Sequence, residues 1–183
     1  MKISKAQAEE NRDRIVSAAA TLFRERGFDG VSVGDLTKSA GFTHGGFYNH
    51  FKSKDALAAE ALDSAFKTMA GHRERARDLP EMLTHYLSQA AREAPGRSCP
   101  AAALGGDVGR GSDDLKAVFA TGVEQMIASV EARLPEGPDF RQRALAVVTR
   151  MAGALMLARA VPDGPLADEL LETNLKLAIA EAQ

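Results

Sequence analysis

Tryptophan is absent from the 183 residues, cysteine occurs once, at Cys99, and aromatic side chains make up only 5% of the chain. A lone cysteine excludes an intramolecular disulfide and a cysteine-based zinc centre. Long apolar runs are missing, and the opening MKISKAQAEENRDRI has no signal-peptide core. The expectation is a cytoplasmic protein with no membrane partner. His44, His50, His72 and His85 show no metal-ligand spacing on a helix face shared with carboxylates. No nucleophile stands beside a base, and no glycine loop is shaped to cradle phosphate. Neither an enzyme, a metal nor a cofactor is expected. Convincing strands, repeats and low-complexity tracts are also lacking.

What is present is a chain 45% hydrophobic and 26% charged, which suits one globular domain or a small domain fused to a larger one. The net charge of −2 argues against a nucleic-acid binder, but its distribution does not. Up to Lys54 there are nine Lys and Arg against six Asp and Glu; from Asp55 onward there are fourteen against nineteen. A basic segment on an acidic body is the charge pattern of a nucleic-acid-binding module.

Start and stop signals predict an all-α chain of about nine helices. Ser4 and Gln7 form a capping-box pair before the stripe Ile15, Ala19, Leu22 and Phe23, and Gly27 ends that helix. Ser32 and Asp35 open a second, short helix that Gly41 closes. Thr43 offers a cap for a third, over His44 to Phe51, and Ser53 caps a long helix from Lys54 to about Asp78. Pro80 opens a helix with Met82, Leu83, Tyr86, Leu87 and Ala90 inward. PAAALGGDVG follows, then a helix capped by Ser112. FRQRALAVVTRMAGALMLARAV and LADELLETNLKLAIAEA complete the set.

Two short helices joined by a glycine-containing turn match a helix-turn-helix, in which the second helix enters the DNA major groove. Gly41 to Leu57, GFTHGGFYNHFKSKDAL, supplies suitable chemistry after that turn: His44, Tyr48, Asn49, His50, Lys52 and Lys54 can donate to phosphate or base. With LFRERGFDGVSV before it, this ordered run resembles the DNA-binding domain of the TetR/AcrR family of transcriptional regulators over residues 11 to 57. The resemblance implies a DNA-binding domain at residues 1–53, extending as a family-type unit to about 68, and a regulatory and dimerisation domain at 54–183. It implies that Thr43, His44, Gly45 and Gly46 face the bases. It implies that Tyr48, His50 and Lys54 hold phosphates, and that Ser32 and Val33 approach the backbone. Phe47 and Phe51 would join Phe23, Phe28 and Leu36 in a small core. Having no side chains, Gly45 and Gly46 would let the backbone come close to the groove floor.

The family likeness further implies a homodimer on a palindromic double-stranded DNA operator, acting as a repressor released by an unknown small-molecule effector. Val148, Leu155, Leu171 and Leu175 lie on the two last helices, whose apolar faces either make a four-helix dimer interface or serve a central core. Met69, Met82, Tyr86, Phe119, Met126 and Met151 either line an effector pocket or are plain core, methionine being adaptable to varied apolar shapes. No cluster of charges in the sequence marks a charged ligand. Cys99, before Pro100 and two residues from Arg97, is either a sensor of oxidants or electrophiles on the same scaffold or a small packed residue.

Overall fold

The computed structural model describes residues 4–41 and 44–181, with backbone alone at positions 44 and 45. Thr43, expected to face the bases, lies outside the described residues. Ten α-helices and one 3₁₀ turn are present among those described, with no strand. They are α1 (Lys5–Arg26), α2 (Val33–Ala40), α3 (His44–Tyr48), α4 (Lys54–Glu74), α5 (Leu79–Tyr86), α6 (Gln89–Glu93), α7 (Pro100–Gly109), α8 (Asp113–Glu131), α9 (Phe140–Ala160) and α10 (Pro165–Glu181). The 3₁₀ turn, Pro95–Arg97, precedes α7.

The extra helix is α6. The Leu87 N–H closes α5 on the Leu83 carbonyl, and the Ser88 hydroxyl then accepts from Ala91 N at 3.1 Å to start again. Ala90 therefore sits on α6 and is exposed rather than inward. Asp78, not the residue before Pro80, caps α5 by accepting from Glu81 N at 2.8 Å. At α1 the capping box is half formed: Ser4 accepts from Gln7 N, but the Gln7 side chain turns to Glu10 and Asn11. At α2 the box is complete between Ser32 and Asp35. Gly27 and Gly41 have φ of 73° and 77°, conformations that a side chain disfavours, so each helix stops where its glycine stands. The third helix is shorter than expected, ending at Tyr48 instead of Phe51.

α1, α2 and α3 enclose a small core. Phe23, Phe28, Leu36, Phe47 and Phe51 are all buried, with Phe23 edge-on to Phe28 at 5.2 Å. α4 joins this unit to the remaining helices. Near its start, the Lys54 ammonium donates to the carbonyls of Phe28 and Val31 at 2.9 and 3.3 Å. An Arg12–Glu60 ion pair at 2.5 Å ties α1 to it farther along. In its middle, Phe66 lies flat against the backbone of α8, where a Cβ on Gly122 would stand inside the Phe66 ring. Only glycine permits that approach.

α9 is the central strut of the C-terminal body, with Ala144, Val147, Val148, Met151, Ala154, Leu155 and Ala158 buried. This corrects the interface residues expected from sequence. Val148, Leu155 and Leu171 are consumed by the monomer's own core, and Leu175 is partly buried against it. The large apolar side chains that α9 and α10 leave exposed are Leu145, Met156, Leu157, Leu166 and Leu177. No described helix is long and apolar enough to cross a membrane.

Candidate functional site

Two features of the fold can carry function: the exposed side of α2–α3 and a cavity at the far end of α4. On the first, the Gly41 turn sets α3 against α2. Phe47 and Phe51 anchor the segment inward at 5.6 Å from each other, which turns the residues between them outward. Tyr48 is 57% exposed, edge-on to Phe47 at 5.1 Å; Asn49 and Lys52 are exposed and His50 is half-buried. Gly46 is half-buried at the start of this run, and α3 begins at His44.

Three expected contacts are placed differently from the rest. The Lys54 ammonium is half-buried and engaged with two backbone carbonyls, so it braces the α1–α2 loop instead of standing free for phosphate. The Ser32 hydroxyl and N–H both bind the Asp35 carboxylate, at 2.5 and 2.9 Å, which makes Ser32 first of all a helix cap. Those bonds hold the Asp35 carboxyl below the usual carboxylate range. Val33 is half-buried against the core, and its carbonyl accepts from the Thr37 hydroxyl at 3.0 Å.

The cavity, about 530 Å³, lies between the last turns of α4, α5, α6 and the Ser98–Cys99 elbow, with Leu155 of α9 behind it. Its size is that of a small-molecule site. Of the residues expected at a pocket, Met69, Met82 and Tyr86 line it. Phe119, Met126 and Met151 do not: Phe119 packs edge-on against Phe66 at 5.7 Å, and Met126 and Met151 are fully buried core. His72, Arg73 and Arg75 come from one charged run, HRERARD, and folding brings His85 and Arg97 to the same opening. Helical spacing held the signal for Arg73, which continues the stripe Leu62, Phe66, Met69 at the next inward position.

Arg73 and Tyr86 are 6% and 8% exposed; among the described residues Arg73 Nε has no hydrogen-bond partner, and the Tyr86 hydroxyl has none of proper geometry, with the Cys99 thiol close enough to interact with it. Burial lowers the Arg73 pKa and pushes the Tyr86 hydroxyl well above its ordinary value, so Tyr86 remains a donor. Cys99 is 1% exposed, with Sγ 3.7 Å from Met126 Sδ, and contributes to the cavity wall. Arg97 is exposed at the opening. The cations within electrostatic reach of Cys99 are Arg24, Arg73 and Arg159, remote in sequence.

The elbow beside Cys99 is wired to the N-terminal unit. Buried Arg24, on α1, donates from Nη1 to the Ser98 carbonyl at 2.9 Å. Arg159 reaches the Ser98 hydroxyl and, at 2.6 Å, the Ala91 carbonyl. At the other end of α7, the Asp107 carboxylate accepts from Phe28 N at 3.4 Å. A side chain at Gly27 would meet that carboxylate at 2.6 Å, a contact that rotation of Asp107 could relieve, so it is the φ of 73° that calls for glycine there.

Residues 15–61 match the family described as bacterial regulatory proteins, tetR family. Over 58 residues the chain is 43% identical to the uncharacterised HTH-type transcriptional regulator YdgC of Bacillus subtilis, covering 32% of this chain and 30% of that protein. Over 133 residues it is 27% identical to the HTH-type transcriptional repressor DhaR of a Mycobacterium, covering 70% and 67%. Among solved structures, the reduced form of Escherichia coli NemR superposes with a TM-score of 0.77 at 21% identity, covering 92% of this chain and 95% of NemR. The chain thus spans under a third of YdgC, and the likeness to NemR speaks for the fold.

Proposed function

The chain belongs to the TetR family of bacterial regulatory proteins through its N-terminal domain, and on that premise we propose that it is a dimeric repressor released from its operator by a small molecule. Residues 1–53 serve as the DNA-reading unit and 54–183 as the regulatory and dimerising body. The observation that carries the reading is the α2–α3 pair, closed by Gly41, with Tyr48, Asn49 and Lys52 exposed on the run that opens at His44. Phosphate contacts from such residues position the helix, and its first residues read bases. Tyr48, His50 and Lys52 take the phosphate role, and Thr43, His44, Gly45 and Gly46 the base-facing one.

A helix-turn-helix reader engages two half-sites about one DNA turn apart, roughly 34 Å, which a two-fold dimer supplies. The exposed Leu145, Met156, Leu157, Leu166 and Leu177 on α9 and α10 are the surface for that dimer. The 530 Å³ cavity takes the effector. Its occupant shifts the reading heads only by favouring a state in which their separation is wrong. The Ser98–Arg24 bond connects the cavity wall to α1, and the Asp107–Phe28 bond connects α7 to the loop that follows α1.

The decisive experiment is fluorescence anisotropy with the duplex upstream of the protein's own coding region against a scrambled duplex, across a salt series. A preference for the upstream duplex is expected, and Leu157→Arg should abolish both it and the dimer. Equal binding to both duplexes would end the proposal.

A second reading is supported by the position of Cys99 at the elbow that Arg24 ties to α1. Modification of this thiol by an oxidant or electrophile would act at the same connection as an effector. Oxidant-induced release of DNA should then be lost in Cys99→Ser; equal release from both proteins removes the reading.

A further inference from the structure

The cavity wall contains a contradiction that a ligand would resolve. Arg73 is a cation buried to 6% exposure, and among the described residues its guanidinium makes no hydrogen bond and no ion pair. Buried charges are ordinarily paired, because an unpaired one forfeits hydration with nothing in return. Beside it the Tyr86 hydroxyl is a second buried donor, with no oxygen acceptor among the described residues and only the weakly accepting Cys99 thiol nearby. Elsewhere in the molecule buried arginines are satisfied: Arg92 donates to Ala158 O, Val161 O and Asp163, and Arg24 to Ala20 O and Ser98 O. Arg159 leaves its Nη1 unpartnered but is bonded through Nε and Nη2. Among the buried arginines described, Arg73 alone makes no side-chain hydrogen bond, and it sits on the wall of the cavity.

The remaining lining says what would satisfy it. Three arginines and two histidines face the opening, and no Asp or Glu does. Arg75 and Arg97 are exposed at the mouth, with His72 and His85 beside them, and the two guanidinium charges favour the approach of anions. Deeper in, the surface is apolar, built from Met69, Met82, Leu155 and several alanines. We propose that the cavity takes a small organic carboxylate, its charged end on Arg73 and Tyr86 and its apolar body along the Met69, Met82 and Leu155 wall. A neutral acceptor would leave Arg73 uncompensated. A phosphate dianion would need more deep donors than one guanidinium and one hydroxyl. The inference rests on the reading of this cavity as the effector site, and narrows it to a chemical class.

The test is isothermal titration and thermal melting of the full-length protein with sodium octanoate, using octan-1-ol as the neutral partner of equal length. Butanoate, dodecanoate and benzoate set the size of the body. Octanoate should bind and raise the melting temperature, and octan-1-ol should bind roughly tenfold or more weakly, the usual scale for losing a charge-assisted bond. Arg73→Met keeps the apolar stem and removes the charge. It should bind octanoate roughly ten- to hundredfold more weakly while melting no lower than the parent, since an unpaired buried charge has been deleted. Tyr86→Phe, a smaller change, should weaken octanoate and leave octan-1-ol unaffected, and it carries the test if Arg73→Met does not fold. Octan-1-ol binding as tightly as octanoate would overturn the proposal. So would unchanged octanoate affinity in the variants, or no carboxylate of the series saturating below about 10 mM, weaker than any useful site. The two layers separate on DNA: neutral ligands that bind and release it overturn the carboxylate and keep the effector cavity. Octanoate that saturates without releasing DNA keeps the carboxylate site and overturns its role as effector.

Discussion

The two ends of α4 each carry a cation, and the two cations are treated in opposite ways. At the N-terminal end the Lys54 ammonium is fastened to the carbonyls of Phe28 and Val31. At the other end Arg73 is more deeply buried, and among the described residues its guanidinium has no hydrogen-bond or ion-pair partner. A satisfied cation holds backbone in place; an unsatisfied one awaits something the chain does not provide. The same helix therefore has a structural end, under the DNA-reading unit, and a receptive end, at the cavity.

The sharpest way to break this comparison is to neutralise both ends and measure stability by urea unfolding. Lys54→Met should destabilise by roughly 1–3 kcal/mol, because two inward-facing carbonyls lose their donor. Arg73→Met should show no such loss. If both variants lost stability equally, Arg73 would be a structural residue like Lys54.

Arg24→Met comes next. It removes the bond from α1 to the Ser98 carbonyl and should cost about 1–2 kcal/mol as that carbonyl goes unpaired. Its telling effect is on response: the apo protein should still bind DNA in the anisotropy assay, but added effector should release it poorly. Normal release would place the connection elsewhere.

Smaller still is the effect of Lys52→Ala. Lys52 is exposed where Lys54 is engaged, so Lys52→Ala should reduce the slope of log K against log salt by about one, and Lys54→Met should leave that slope unchanged. The smallest effect is pH-dependent and local. The Asp35 carboxyl is held below its ordinary value by Ser32, so its contribution to stability is complete above that ordinary value. The contribution is lost as pH falls through the lowered one. Asp35→Asn should flatten the acid limb of stability against pH between those two values; an unchanged limb would show that the cap contributes nothing.

Legibility in the sequence followed the same division. The N-terminal unit is built from contacts close in sequence: Ser32 to Asp35, Phe23 to Phe28, Phe47 to Phe51. Caps, glycine stops and apolar spacing could therefore be read directly. What spacing could not show is that Lys54 turns back to Phe28 and Val31, since nothing local distinguishes a lysine that braces a loop from one that meets phosphate. α6 was missed because Leu83 to Ala90 keeps a helical apolar pattern while Ser88 restarts the backbone hydrogen bonding. The cavity was invisible as a charged site because a run such as HRERARD looks like a solvated helix end, and only the fold turns Arg73 inward and brings Arg97 to the same opening. The interface expectation failed for a simpler reason: periodicity marks which faces of α9 and α10 are apolar, but not which of those faces the monomer uses for itself.

The close approach of Phe66 to Gly122 makes the middle of α4 a fulcrum. The contact is so tight that a Cβ on Gly122 would stand 2.3 Å from the ring, which makes it a natural pivot for any tilt of α4. Twelve residues separate Phe66 from Lys54 and seven separate it from Arg73, or about 18 Å and about 10 Å of helix. A rigid α4 is thus a lever with unequal arms, longer on the side of the DNA. In a rigid tilt about Phe66, each ångström of helix movement at Arg73 would arrive at Lys54, and at the loop it grips, as about 1.7 Å.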